Sequence, residues 1–206
     1  MKIVALSDTH GFHDKIDIPP ADMLIFAGDI SLHGTLNEIL QFDFFLSQLD
    51  HTYKIVVAGN HDLLFQNEHQ AAAASLKNGI YLQDRAIEIE GIKIYGSPWQ
   101  PWFCDMAFNL SRGEEIKKKW DLIPSDTDIL ITHSPPFGIM DYVRKENQGC
   151  EELLKTIHRV SPKYHFFGHI HEGYGQWATD KTIFANASIC NVHFQPVNKA
   201  HICDLS

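Results

Sequence analysis

Residues Ile3-Val4-Ala5-Leu6-Ser7-Asp8-Thr9-His10-Gly11 set a short apolar run against a polar loop that closes on glycine. A run of this kind, bounded by Gly, reads as a buried strand. The loop behind it carries two residue types that bind metals. Asp8 and His10 are two apart, so in extended chain they face the same way. The pattern recurs along the chain. Met23 to Ala27 leads into Gly28-Asp29, and Ile55 to Ala58 into Gly59-Asn60-His61-Asp62. Ile129 to Ile131 leads into Thr132-His133-Ser134-Pro135-Pro136, and Tyr164 to Phe167 into Gly168-His169-Ile170-His171.

Helical patterns lie between these runs. Thr35-Leu36-Asn37-Glu38 has the form of a capping box, and Leu36, Ile39, Leu40, Leu46 and Leu49 keep roughly helical spacing up to Asp50. Leu153, Leu154, Ile157 and Val160 mark a second helix from Cys150, stopping at Ser161-Pro162. Arg112 to Asp121 forms a third. Ala86 to Tyr95 alternates on both sides of Gly91, which predicts a hairpin. The tail from Trp177 to Asp204 predicts antiparallel strands. Strands alternating with helices imply an α/β layered fold with ligands outside the strand ends.

The chain has 206 residues, 44% of them hydrophobic and 21% charged, which suits one globular domain spanning 1–206. The formal net charge of -9 excludes bulk nucleic-acid binding, because such a surface repels a phosphate backbone. A small phosphoester remains acceptable if bound cations dominate the local field. Cys104, Cys150, Cys190 and Cys203 form no C-x-x-C pair and read as reduced thiols. The opening apolar run is too short for a signal peptide, and no stretch is long enough to span a bilayer, so a cytoplasmic protein without membrane partners is expected. Oligomeric state leaves no trace in the sequence.

Taken in order, D-x-H, G-D, G-N-H-D, a His after a strand and G-H-x-H resemble the five blocks of the calcineurin-like metallophosphoesterase superfamily. Ser97-Pro98-Trp99-Gln100-Pro101-Trp102-Phe103 and Phe167-Gly168-His169-Ile170-His171-Glu172-Gly173-Tyr174-Gly175 are similar to one branch, the small metallophosphodiesterases of the MPPED type. The resemblance implies a four-layer sandwich of two mixed β-sheets flanked by helices. It implies one metal held by Asp8, His10, Asp29 and His171 and another held by Asp29, Asn60, His133 and His169. It also makes His61 an acid beside the site rather than a ligand. Some animal members of that branch lack the last His of G-H-x-H; this chain keeps His171, so both positions are expected to fill.

Two cations about 3.5–4 Å apart activate a shared water and clamp a phosphate. The expected function is therefore a dinuclear-metal phosphodiesterase acting on small phosphodiesters, cyclic or other nucleotide diesters among them, through a metal-bridging hydroxide. His61 would protonate the departing oxygen. Asp62 either orients the His61 ring or is a loop or N-cap carboxylate. Imidazole, carboxylate and amide donors without thiolate suit Mn, Fe, Zn, Co or Ni, with Mn favoured.

Asn60, His61 and Trp102 are expected to touch substrate. Trp99, Trp102 and Phe103 read either as the packed side of a long loop or as a substrate wall. Arg112 reads as a solvated arginine at a helix start, with a phosphate contact as the alternative. His13 and His33 could line the cleft, whereas His158 faces solvent and His165 is a structural histidine. Rival functions are a phosphomonoesterase on the same site, a catalytically silent scaffold and a metal-binding regulatory module. The motif loops contain no arginine, which favours diesters, and the chain keeps every ligand position together with His61, which disfavours a silent scaffold.

Overall fold

A computed structural model describes residues 1–205. The strands are β1 (Lys2–Leu6), β2 (Met23–Ala27), β3 (Tyr53–Val57), β4 (Ile80–Tyr81), β5 (Arg85–Ile89), β6 (Ile92–Ser97), β7 (Gln100–Pro101), β8 (Asn109–Leu110), β9 (Ile129–Thr132), β10 (Tyr142–Val143), β11 (Glu146–Asn147), β12 (Tyr164–Phe167), β13 (Gly175–Ala178), β14 (Ile183–Asn186) and β15 (His201–Asp204). The helices are α1 (Leu36–Ser47), α2 (Leu63–Asn67), α3 (His69–Ser75), α4 (Glu114–Trp120) and α5 (Glu151–Val160).

Two mixed sheets form the centre. The first has the order β15-β1-β2-β3-β4, with β1 to β4 parallel and β15 antiparallel to β1. The second has the order β13-β14-β12-β9-β6-β5, parallel except at its two edges. Strand side chains alternate between faces, and that alternation builds the layers. Ile3, Ala5, Met23 and Ile25 meet Ile129, Ile131 and Phe166 in a core between the sheets. Their neighbours Val4, Leu6, Leu24 and Phe26 face the other way, onto Ile39, Phe42 and Leu46 of α1 and Ala72 of α3. On the far side Leu130 and Phe167 pack on Ile116 and Trp120 of α4 and on Leu153 and Ile157 of α5. Each such side chain contributes about 1.5–3 kcal/mol when fully buried. The apolar stabilisation therefore lies in the strand bodies, and the loops at their ends are free to carry polar groups.

Local chemistry sets the boundaries. Thr35 caps α1 and accepts from the Glu38 backbone, while Glu38 reaches back to the Thr35 N–H, so the capping box is present. α1 ends at Ser47, short of Asp50. Ser161 ends α5 in the left-handed conformation, with Pro162 next. The predicted hairpin is β5–β6, turning on Glu90 and Gly91, which both have positive φ. The tail forms the expected antiparallel pairings, β13 with β14 and β15 with β1, but its strands do not stay together. β14 pairs parallel with β12, and β15 leaves this sheet altogether to join β1. Parallel pairing needs a crossover rather than a tight turn, and periodicity within a strand carries no record of its partner. Among the described residues, no helix is long and apolar enough to cross a membrane.

Candidate metal centre

The strands β1, β2, β3, β9 and β12 all deliver their following loops to one edge of the sandwich, and the candidate ligands converge there. Asp29 Oδ2 lies 3.4 Å from His133 Nε2 and 3.9 Å from His10 Nε2. His171 Nε2 is 3.3 Å from Asp8 Oδ1 and 3.3 Å from His10 Nε2. Asn60 Oδ1 sits between His133 Nε2 at 2.9 Å and His169 Nδ1 at 2.8 Å. All seven predicted ligand residues are thus brought together.

Backbone carbonyls aim three of the imidazoles. Nδ1 of His133 donates to the Ala27 carbonyl, that of His171 to the Asn191 carbonyl and that of His61 to the Leu32 carbonyl. Each Nε2 is thereby left to face the centre, the arrangement that metal-binding histidines use. Glycines allow the close approach. A Cβ on Gly28, which has φ of 101°, would lie 2.2 Å from His133 Nδ1, and one on Gly168 would lie 2.0 Å from Asp8 Oδ2. Asp8, His10, Asp29 and His169 also hold positive φ. For non-glycine residues this costs on the order of 1–3 kcal/mol each and is characteristic of functional sites. The surrounding fold must over-determine these loops.

Electrostatics bears on whether metal ions fit. Burial alone would raise the pKa of Asp8, but the hydrogen bond and charge of His171 hold it well below the usual carboxylate range. Asp29 is likewise held low by His133 against its burial. In return, His133 and His171 are pushed up to about 9 by Asp29 and Asp8 respectively, although burial alone would lower both. His169 falls to about 3, through burial and then the charge of His133. A knot of buried carboxylates therefore demands positive charge at its centre. The Nε2 atoms of His10 and His171, facing each other at 3.3 Å, point the same way. Asp8, His10 and His171 offer three ligand atoms within 4.8 Å of one another, as do Asp8, Asp29 and His133. These residues fit two divalent cations. His61 also groups with His10 and Asp29 on that criterion, its Nε2 standing 4.0 Å from Asp29 Oδ2.

A cavity of about 380 Å³ opens over the centre, with Asp29, Asn60, His61, His169 and His171 on its floor. Asp8, His10 and His133 lie beneath. Trp102 and Phe103 form part of the wall and are strongly exposed, whereas Trp99 packs in the core with its Nε1 on Asp84. The aromatic loop therefore divides between the two readings.

One expectation is corrected. Asp62 does not hold the His61 ring, because the Leu32 carbonyl does. The Asp62 carboxylate instead accepts from the backbone N–H groups of Gly59, Ile30 and Ser31 and from Ser31 Oγ, tying the Asp29 loop to the Asn60 loop. Arg112 is exposed as expected, and it also donates to the carbonyls of Gln148 and Gly149 and pairs with Glu151. His13 packs on Phe42 and Phe45 rather than lining the cavity, and exposed His33 does not line it.

Several participants left no signal in the sequence. Ser7 Oγ and Ser188 Oγ both donate to Asp8 Oδ2, at 2.6 and 2.9 Å, and the His169 N–H donates to the same carboxylate. Phe194 lies against three of the histidines, and Arg144 lines the cavity from the β10–β11 turn. Ser188, Phe194 and Arg144 sit outside the strand-end pattern, and the serines at 7 and 188 look like any other loop serine.

The family described as Calcineurin-like phosphoesterase matches residues 1–173. The chain belongs to that family. This calcineurin-like phosphoesterase is 45% identical over 230 residues to metallophosphoesterase domain-containing protein 1 of Homo sapiens, covering 99% of this chain and 71% of that protein. It is 39% identical over 237 residues to a UPF0046 protein of Caenorhabditis elegans, covering all of this chain and 60% of that one. Among solved structures, a Thermus thermophilus protein superposes with a TM-score of 0.61 at 15% identity, covering 90% of this chain and 88% of that one. A structure described as a novel archaeal phosphodiesterase gives 0.55 at 17% identity, covering 99% and 93%. At these identities the two structures show a shared fold.

Proposed function

We propose that residues 1–206 form one domain with a dinuclear metal centre that hydrolyses small phosphodiesters, manganese being the favoured metal. The observation that carries this reading is the position of Asp29, whose carboxylate faces His133 on one side and His10 on the other. A carboxylate so placed can share its oxygens between neighbouring cations. Asp8, His10, Asp29 and His171 would hold one, and Asp29, Asn60, His133 and His169 the other. Bound there, such ions supply Lewis acidity toward phosphoryl oxygens and lower the pKa of water.

The remaining chemistry belongs to the chain. His61 Nε2 faces the cavity while its Nδ1–H is fixed on Leu32. The ring is thus set to carry a proton to a departing oxygen at Nε2, a transfer worth about 10²–10⁴ in rate. Trp102 and Phe103 offer apolar surface to the organic arms of the substrate. Of the two arginines lining the cavity, Arg112 is committed to Glu151 and two carbonyls. That leaves little cationic surplus for a dianionic monoester and supports the diester reading.

The test is metal analysis of protein loaded with Mn, Fe or Zn, followed by turnover of bis-aryl against mono-aryl phosphates. About two metals per chain and faster turnover of the diester are expected. Fewer than one metal per chain sinks the dinuclear reading, and faster monoester turnover replaces the diesterase with a monoesterase.

A further inference from the structure

Phe194 covers one half of the centre. Its ring centroid lies 4.7 Å from that of His10, 5.8 Å from that of His171 and 6.1 Å from that of His61, with the rings steeply inclined to one another. The residue holds φ of 56°, a conformation that a bulky side chain without local hydrogen bonds has no intrinsic reason to adopt.

The turn Asn191–Gln195 imposes that conformation. The Asn191 N–H donates to the Gln195 carbonyl, and the Phe194 N–H donates to the Asn191 carbonyl, both at 2.9 Å. Asn191 Oδ1 accepts from the N–H groups of His193 and Gln195. The Asn191 carbonyl also accepts from His171 Nδ1. A single turn therefore fixes the imidazole of His171 and lays an aromatic ring against it. The other half of the centre differs in number of contacts rather than exposure: Phe103, 50% exposed against 40% for Phe194, meets the single imidazole of His169, 5.2 Å away.

Backbone strain at a surface turn persists where something else requires it. Here the strain places a ring against two imidazoles of the Asp8–His10–His171 group. An ion leaves such a group when water replaces its ligands one at a time, and that requires the imidazoles to swing away. The ring blocks both events for His10 and His171.

We propose that Phe194 is a positioning residue of the metal centre, which retains the cation held by Asp8, His10, Asp29 and His171 by keeping water off its two imidazoles. The inference rests on the dinuclear reading above and adds that the two cations are held with unequal kinetics.

Phe194→Gly tests it, since glycine adopts φ of 56° without strain. Wild type and variant are loaded with Co(II) and challenged with excess chelator, and bound cobalt and its d–d absorbance are followed with time. One of two release phases is expected to accelerate by about 10-fold or more, the size of effect that groups outside the ligand set exert, while the other stays within about twofold. Metal-free Phe194→Gly is expected to melt at the wild-type temperature or above. Phe194→Leu, which keeps part of the cover, should give an intermediate rate. Unchanged release, equal acceleration of both phases, or a clearly lower melting temperature of the metal-free variant overturns the proposal. A wild type that binds no cobalt overturns the dinuclear reading itself, a separate result.

Discussion

Asp29 Oδ2 stands 3.4 Å from His133 Nε2, although Asp29 follows a strand of the first sheet and His133 a strand of the second. The contact bridges the sandwich at its edge, and the centre depends on both sheets holding their alignment. Asp29→Asn keeps the volume and removes the charge. Metal affinity should fall by more than the roughly 10–100-fold that even an indirect partner costs. Equilibrium dialysis with metal analysis checks this, and undiminished binding of two ions would contradict the bridging role.

His61→Gln should behave differently. The ring lies beside the proposed ligand set, so the variant should keep its metals and lose about 10²–10⁴ in kcat. Metal content and steady-state kinetics on one preparation separate the two effects. Loss of an ion would move His61 into the ligand set.

For Asp62→Asn the expected loss is in stability. The carboxylate is fully buried and gathers four donors from two loops. An amide leaves some of those donors unpaired, at a cost of about 1–3 kcal/mol. Urea unfolding should show this, with kcat per folded molecule unchanged within a few-fold. A rate loss matching that of His61→Gln without destabilisation would restore a catalytic part for Asp62.

Metal loading should release protons. His133 and His171 stand near 9 in the metal-free protein, so both are protonated at pH 7. A cation needs their lone pairs and displaces about two protons at that pH. Release should shrink, and apparent affinity grow, as pH rises through 9. An indicator dye in weak buffer reads it directly; loading at pH 7 without acidification would show that these groups are already neutral.

A second pH dependence comes from His165, buried between Phe167 and Phe184 with Nε2 on Thr132. Burial lowers its pKa to about 3. The unfolded chain binds this proton more readily, so the contribution is complete above about pH 6.5 and is lost as pH falls toward 3. His165→Phe removes the liability. Its stability relative to wild type should improve by about 2 kcal/mol between pH 7 and 5, read from urea midpoints. Parallel behaviour of the two proteins would contradict it.

The α/β layering and the polar strand ends at Asp8, Asp29 and His133 were legible in the sequence because apolar runs, glycine spacing and donor chemistry all act locally, whereas the two-sheet sandwich and the grouping of the ligands came from the family resemblance. Thr35 and Glu38 announce α1 in the same way. What stayed hidden depends on partners distant in the chain. Nothing near Ser188 says that its hydroxyl meets Asp8, and nothing near Ile183 says that its strand lies parallel to β12. Asp62 had two open readings for a related reason: adjacency to His61 suggested a partnership, but that ring found a backbone carbonyl and Asp62 became the loop carboxylate instead.

The pairing of β15 with β1 gives the molecule an order of assembly. Asp8 is reached by Ser188 and His169, and the Ser7 N–H bonds the Ala187 carbonyl, so the first loop of the centre waits for residues 161 to 180 positions further along the chain. A nascent chain halted before residue 169 holds Asp29 and His133 but neither of the final two imidazoles. Capture of the cation that needs His169 or His171 is therefore deferred until those residues have been made.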